Sequence, residues 1–362
     1  MSRRPAALVV VAVSVLCLAA GAGDRWRAVT TGNTPELAAN EIQFLKVIHD
    51  ELWIGTLSGL TRYNDNGYAV VSKTTREKRR NPDTGEWETV DTVAKAELRV
   101  CTVFRPDART CLVGAAGGLF TMDGLVLGDV ALKGRTVAPV VPFNDTLWAL
   151  AKNDGTGRST LYHRAGTTWK PVEAFAETAL ADLVRTHDGR LWVVVDGDGV
   201  FEVDPGKGLD KRVHHLAGLN VRSVLLDARG RVWCGLWGRG VAVMGKDGTW
   251  TMHIENEKSA VLNLAADAAG HVWAGTSSGG LYEYDGKTWS RHFVDEGAVS
   301  LLYADSKGRL WVSTQSTGDL RYHHQGEWHR SLDNRLPMTS MAEYNGAIWA
   351  GGVLDGIHIL QE

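Results

Sequence analysis

One phrase returns along the chain: a polar turn, then apolar-Trp-apolar-Gly, a short loop holding a Gly, then an alternating strand. It reads Leu52-Trp53-Ile54-Gly55-Thr56 followed by Gly59-Leu60-Thr61-Arg62-Tyr63, and returns as Val232-Trp233-Cys234-Gly235 and Val272-Trp273-Ala274-Gly275-Thr276. Weaker copies are Leu147-Trp148, Leu191-Trp192, Leu310-Trp311-Val312-Ser313-Thr314 and Ile348-Trp349-Ala350-Gly351. Leu112-Val113-Gly114 is a further copy, with Leu in place of Trp. From Trp148 onward the copies stand 44, 41, 40, 38 and 38 residues apart. A unit this small cannot bury its own apolar faces and must stack on its neighbours, and a period of about 40 residues with four strands marks the blade of a propeller.

One unit can be read in full. Val221 to Leu226 is a first strand, Asp227-Ala228-Arg229-Gly230 a turn, and Arg231 to Leu236 the second strand. Gly240 to Met244 and Trp250 to Ile254 follow, joined at Lys246-Asp247-Gly248, where Asp-Gly supports the positive φ of a tight hairpin. The middle strands are apolar on both sides, as expected where a sheet packs between two others, so the repeated Trp is read as packing between blades. The expectation is an all-β chain: one β-propeller of four-stranded antiparallel blades, eight of them, or seven if one weak copy fails. Arg25 to Val29 reads as an isolated fourth strand, and Ile357 to Leu360 as a third strand lacking its fourth. The N-terminal strand is therefore expected to complete the last blade, closing the ring and removing two open edges. With 41 Gly, 14 Trp and only 9 Pro, the composition fits short, tightly turned, heavily packed strands.

The chain opens on a targeting pattern. Arg3 and Arg4 precede an apolar or small-residue stretch from Pro5 to Ala20, and Ala20-Gly21-Ala22 fits a cleavage site. Residues 1–22 are thus expected to be a cleaved signal peptide and 23–362 the propeller, in the periplasm or secreted. An uncleaved anchor and a lipidated Cys17 are the alternatives, but Leu16 stands where lipidation needs a small residue. The net charge of −3 gives no reason to expect nucleic acid or an acidic membrane as the main partner. In an oxidising compartment Cys101 and Cys111, flanking the turn signal Arg105-Pro106-Asp107-Ala108, are expected to face each other as a disulfide, leaving Cys234 as a buried thiol. There is no zinc spacing, and no metal or cofactor is expected.

Phrases such as Asp305-Ser306-Lys307-Gly308-Arg309-Leu310-Trp311 and Trp273-Ala274-Gly275-Thr276 followed by Gly279-Gly280-Leu281-Tyr282 resemble the propeller repeats of two-component regulator sensor proteins. The resemblance covers nearly the whole chain after the leader. Members of that family often carry the propeller as a periplasmic sensor ahead of a Tyr-rich β-domain, a membrane helix and a histidine kinase. None of these follows in this sequence, so what the resemblance implies is extracytoplasmic binding, sensor-like or as a scaffold, without the kinase.

The chemical motifs point the same way. Gly275-Thr276-Ser277-Ser278-Gly279 fits a hydrolase pattern, but falls in a strand-to-strand loop in register with Gly55-Thr56-Leu57-Ser58-Gly59, which has no nucleophile at the corresponding position. The turns Asp227-x-x-Gly230-x-x-Trp233, Asp267-x-x-Gly270-x-x-Trp273 and Asp305-x-x-Gly308-x-x-Trp311 are read as hairpin turns. His214-His215, His323-His324 and His329 are expected at edges or in solvent, since adjacent strand residues face opposite ways. The loops between second and third strands offer Asp196, Asp198, Trp237, Arg239, Gln315, Asp319 and Asp355 at one mouth of the channel. An aromatic plate with Asp, Gln and Arg can stack on and hydrogen-bond a sugar ring; the same residues also suit an ordinary polar rim. The step from Trp53 to Leu112 is 59 residues, and the excess lies in the segment 72–96, a charged hairpin expected to project from its blade. Arg79, Arg80 and Trp87 on it are candidates for docking an envelope or extracellular protein. The expected function is binding of a glycan, peptide or protein; the alternative is a carbohydrate-active hydrolase or lyase.

Overall fold

The structure is a computed structural model that describes residues 26–107, 110–143, 145–175, 179–186, 189–204, 207, 211–255, 257–278, 280–292 and 297–361. The expected signal peptide, Arg25 of the closing strand and Gly279 of the serine motif lie outside the described residues.

The repeat folds as eight antiparallel blades of four strands each. In chain order they run 42–70, 100–131, 135–171, 180–215, 221–253, 261–292, 299–332, and 338–361 with 26–29, here blades 1 to 8. First strands of neighbouring blades touch one another around the centre. Ring closure follows the sequence expectation: Trp26–Val29 pairs antiparallel with the third strand of blade 8, Trp26 opposite Leu360 and Val29 opposite Ile357. The Trp26 indole also donates to Ser331 Oγ of blade 7 at 3.1 Å and sets its edge against Trp311. No helix among the described residues is long and apolar enough to cross a membrane.

The second-strand tryptophans Trp53, Trp192, Trp233, Trp273 and Trp311 are almost wholly buried and pack between blades. The glycine two residues after Trp233 is explained by approach of the next blade. A Cβ at Gly235 would stand 2.7 Å from the carbonyl oxygen of Val261 in blade 6. Side chains then tie blade to blade through backbone carbonyls. Ser223 Oγ donates to Val261 at 3.1 Å, Asn263 Nδ2 to Val299 at 2.8 Å, and Thr339 Oγ1 to Ile42 at 2.8 Å. Gly240, with φ of 69°, opens its third strand where any Cβ would meet the His253 and Ile254 carbonyls at 2.3 and 2.4 Å.

A buried indole N–H needs an acceptor. In blades 5, 6 and 7 it is the aspartate six residues upstream: Asp227, Asp267 and Asp305 accept from Trp233, Trp273 and Trp311 at 2.9, 3.0 and 2.7 Å. Those turns are therefore more than hairpins. Asp227 also accepts from the backbone N–H groups of Arg229 and Arg231 and from Arg231 Nε at 2.7 Å, while that guanidinium lies over Trp233. Asp305, Arg309 and Trp311 repeat the arrangement. Blades 1 and 8 close the same hairpin with two residues, His49-Asp50 and Asn345-Gly346, all at positive φ. So short a turn has no place for the aspartate, and the indole N–H groups of Trp53 and Trp349 meet no acceptor among the described residues.

The insertion is a nine-residue ladder, Ser72–Arg80 against Trp87–Lys95. Its base does something the sequence did not announce: Ser72 and Lys73 pair in parallel with Val126 and Leu127, adding two strands to the outer edge of blade 2. Val71 and Ala96, both buried, hold that base.

Asp227→Ala and Asp305→Ala should each cost about 2–3 kcal/mol in urea denaturation, because each strands a buried indole and an arginine. Burial pushes the Asp227 carboxyl up, but hydrogen bonds from Trp233 and Arg231 outweigh it and hold it below the usual range. Its contribution is present above the unfolded-state pKa and is lost as pH falls through the folded-state value, so the gap between wild type and variant should close in acid. An Asp227→Ala protein as stable as wild type at neutral pH would show that the clasp contributes nothing.

Candidate functional site

In each blade the second-to-third-strand loops and the connections to the next blade lie on one face, since antiparallel strands alternate their turns. On that face, between blades 4 and 5, the chain makes a hollow of about 330 Å³ lined by Gly218, Leu219, Asn220, Trp237 and Arg239. Trp237 follows the buried second strand of blade 5, and its backbone bridges Asn220 and Ala260, which holds the indole outward at 56% exposure. Arg222 lies over that ring at 5.3 Å and reaches Asp196 Oδ1 at 3.4 Å. Asn220 closes the hollow with a buried Oδ1 that has no hydrogen-bond partner among the described residues. An acceptor left buried without a donor is costly, and here it lies beside an open space.

Asp196 and Arg222 also line a second hollow of about 330 Å³, shared with Thr136, Lys152, Ser159 and Ala181 of blades 3 and 4. Arg222, which lies over Trp237 of the first hollow, links the two. Asp182, next to Ala181 on the first strand of blade 4, accepts from its neighbour Leu183 N–H at 2.7 Å. Desolvation by the surrounding protein pushes its carboxyl above the usual range. The opposite face holds a larger groove of about 720 Å³ lined by Phe143, Thr146, Arg164 and Arg185 among others. There Thr146 Oγ1 and Arg164 Nε are already spent on the backbone oxygens of Arg164 and Gly166.

Of the rim residues expected from sequence, the structure brings Asp196, Trp237 and Arg239 to the two joined hollows. Asp198 fastens the connection leading to them, its Oδ1 accepting from Gly218 N–H at 2.9 Å and its carbonyl contacting His214. Asp319 is buried and accepts from Arg330 at 2.8 Å and Arg321 at 3.4 Å. Asp355 Oδ2 accepts from Asn334 and contacts His358. Burial pushes the Asp355 carboxyl up, but these contacts overcome that and hold it below the usual range. Gln315 sits in blade 7, its N–H on the Ala298 carbonyl. Asn220 and Arg222 escaped the sequence reading. The one signal for Arg222 is a cation at the second position of an otherwise apolar strand.

Other expectations change with the register. Phe104 pairs with Leu112, so Cys111 continues opposite Arg105 and stands four residues along the ladder from Cys101. That is about 13 Å, beyond the roughly 7 Å a disulfide spans between Cα atoms, and both thiols are free. His215 lies on the edge strand of blade 4, as expected, but half-buried: it stacks on Trp192, contacts Glu202 at 2.9 Å and accepts from Trp250 through Nδ1. Ser277 of the serine motif accepts from the Ala260 N–H. Among the described residues no three His, Cys, Asp or Glu side chains gather as a metal ion would require.

No protein-family model and no curated protein matches the chain. Among solved structures it is similar to the computationally designed protein Ika8, at TM-score 0.59 and 13% identity over 89% of this chain and 96% of that one. It is similar to the extracellular domain of a hybrid two-component system of B. thetaiotaomicron, at TM-score 0.55 and 15% identity over 91% of this chain. This chain spans 51% of that domain's length. It is also similar to virginiamycin B lyase of Staphylococcus aureus, at TM-score 0.56 and 10% identity over 94% of this chain and all of that one. At these identities the likeness is one of fold.

The cysteine register has a direct check. Alkylation of the denatured protein without reductant should label Cys101, Cys111 and Cys234 alike. On the native protein Cys234 should stay unlabelled, being fully buried, and Cys111 should react slowly because burial pushes its thiol up to about 11. A bridged Cys101–Cys111 peptide in the digest would overturn the register.

Proposed function

We propose that the chain is an extracytoplasmic binding module that holds an acidic sugar or oligosaccharide at the channel mouth between blades 4 and 5. The observation that carries this reading is the unpartnered Asn220 Oδ1 in the same hollow as the exposed Trp237 and Arg239. A sugar hydroxyl would supply the missing donor, and the outer face of the indole would stack on the ring. Arg222 braces the other side of the indole, so the plate is oriented before ligand arrives. Arg222 and Arg239 favour a carboxylated ring over a neutral one. The likeness to an extracellular domain of a two-component system supports the extracytoplasmic part.

A second reading, a carbohydrate hydrolase or lyase on the same fold, draws on Asp182. A carboxyl that desolvation pushes above the usual range, one residue along from Ala181 of a sugar-sized hollow, is the kind of group a general acid needs.

The two readings separate in one set of measurements on the mature protein. Acidic oligosaccharides such as oligogalacturonates should raise the melting temperature, neutral ones much less, because a ligand that binds only the folded state stabilises it. Trp237→Ala should weaken binding by about tenfold or more, as loss of a stacking anchor does. Asn220→Leu should weaken it too, while Asp182→Asn leaves it intact. No shift with any oligosaccharide sinks the proposal. New reducing ends or unsaturated products that vanish in Asp182→Asn would establish the enzyme instead.

A further inference from the structure

The insertion on blade 2 is an arm with two unlike faces. Residues opposite one another on a ladder share a face, and successive residues alternate. The register sets Arg80 opposite Trp87, Lys78 opposite Thr89, Arg76 opposite Asp91 and Thr74 opposite Val93, all on one side. Arg79 opposite Glu88, Glu77 opposite Val90 and Thr75 opposite Thr92 make up the other. The second face is balanced, with Arg79 bonded to Glu88 at 3.2 Å. On the first face Arg76 is matched by Asp91 at 2.8 Å, which leaves Lys78 and Arg80 without a carboxylate partner among the described residues. The same face carries Trp87 and Val93, at 72% and 63% exposure the two most exposed large apolar side chains among the described residues.

A self-contained solvated hairpin gains by facing opposite charges across the ladder and by keeping large apolar groups covered. Three cations in file at positions 76, 78 and 80 repel one another, and an uncovered Trp is the residue type that most often anchors a partner. We propose that this face of the arm docks an acidic, extended segment of a partner protein, lying along Trp87–Val93 with its carboxylates on Lys78 and Arg80. Trp87 and Val93 stand about 20 Å apart, six residues of strand, so apolar side chains at the two ends of such a segment would meet them, with one carboxylate at the Trp87 end on Arg80 and the next along on Lys78. The edge of the Trp87–Lys95 strand is unpaired, as the last of six strands, and offers backbone hydrogen bonds in the same direction. A lipid surface fits less well: the tip carries Asp83 and Glu86, both exposed, and the cations form a file along the arm instead of a flat patch. This proposal is independent of the channel-mouth reading, since the arm belongs to blade 2.

The test exploits the faces. Arg79 and Arg80 are neighbours of equal charge on opposite sides, so long-range electrostatics treats them alike and docking does not. Binding of a short fluorescein-labelled peptide alternating glutamate with leucine is measured by anisotropy on the whole mature protein, with melting curves as the folding control. The peptide should bind and weaken with salt. Arg80→Gln and Trp87→Ala should each weaken it by about tenfold, and Arg79→Gln by less than about twofold. Equal effects of Arg79→Gln and Arg80→Gln, no binding of the peptide, or arm-dependent binding of phosphatidylglycerol vesicles in its place would each overturn the proposal. So would self-association that Trp87→Ala abolishes, since the face would then belong to a second copy of this chain.

Discussion

In seven of the eight blades the second strand buries a large indole against its neighbour, and the ring is built around how the polar end of that indole is settled. The Trp of the second strand supplies more apolar area than any other side chain in the unit, and it brings an N–H into a place without water. Blades 5 to 7 answer with an aspartate that is itself held by the turn's backbone; in blades 5 and 7 an arginine lying on the same indole bonds it too, and in blade 6 His271 stands in that place. Turn, strand and inter-blade core are thereby one hydrogen-bonded unit. In blade 3 the Trp148 indole reaches the carbonyl of Phe143 instead. In blades 1 and 8, as in blade 4, the indole N–H meets no acceptor among the described residues. The aspartate acceptor is thus confined, among the described residues, to the consecutive blades 5 to 7.

What could be read from sequence follows from this. The apolar-Trp-apolar-Gly phrase is legible because burial on both faces, the close approach at Gly235 and the indole all recur in every blade that packs the same way. Closure by Trp26–Val29 was legible for a related reason: a strand without a partner at each end leaves two edges that only each other can satisfy. The role of Asp227 was not legible, because a turn aspartate reads equally well as a local hairpin residue until the indole is seen to fold back onto it. The cysteine pairing failed on a finer point. Turn composition between Cys101 and Cys111 marks a hairpin correctly, but pairing within it depends on a register that the turn's length and a bulge between Val100 and Thr102 decide.

The candidate site was half legible, and the division has a physical cause. Loop position within the repeat identifies which residues reach the rim, and this found Asp196, Trp237 and Arg239. Which rim residues meet is set by the packing of one blade on the next, outside the repeat. Asp319 and Asp355 hold the same sequence position as rim ligands yet are consumed by Arg330 and Arg321, and by Asn334 and His358, within the frame. Asn220 and Arg222 enter from the connection between blades 4 and 5 and the strand after it, outside the repeated phrase. On the arm the faces themselves were legible, since alternation alone separates Arg79 from Arg80 and Trp87.

The mouth hollow lies at the junction of two unlike blades. There blade 4, whose Trp192 indole has no acceptor among the described residues, meets blade 5, the first with the full Asp–Arg–Trp clasp. Trp237 begins immediately after the clasped second strand of blade 5, and Arg222 stands on that blade's first strand. Asp196 and Asp198 come from blade 4, and Arg222, lying over the indole and 3.4 Å from Asp196, joins the two sides. The fold thus provides a frame whose irregularities, more than its repeat, locate its chemistry.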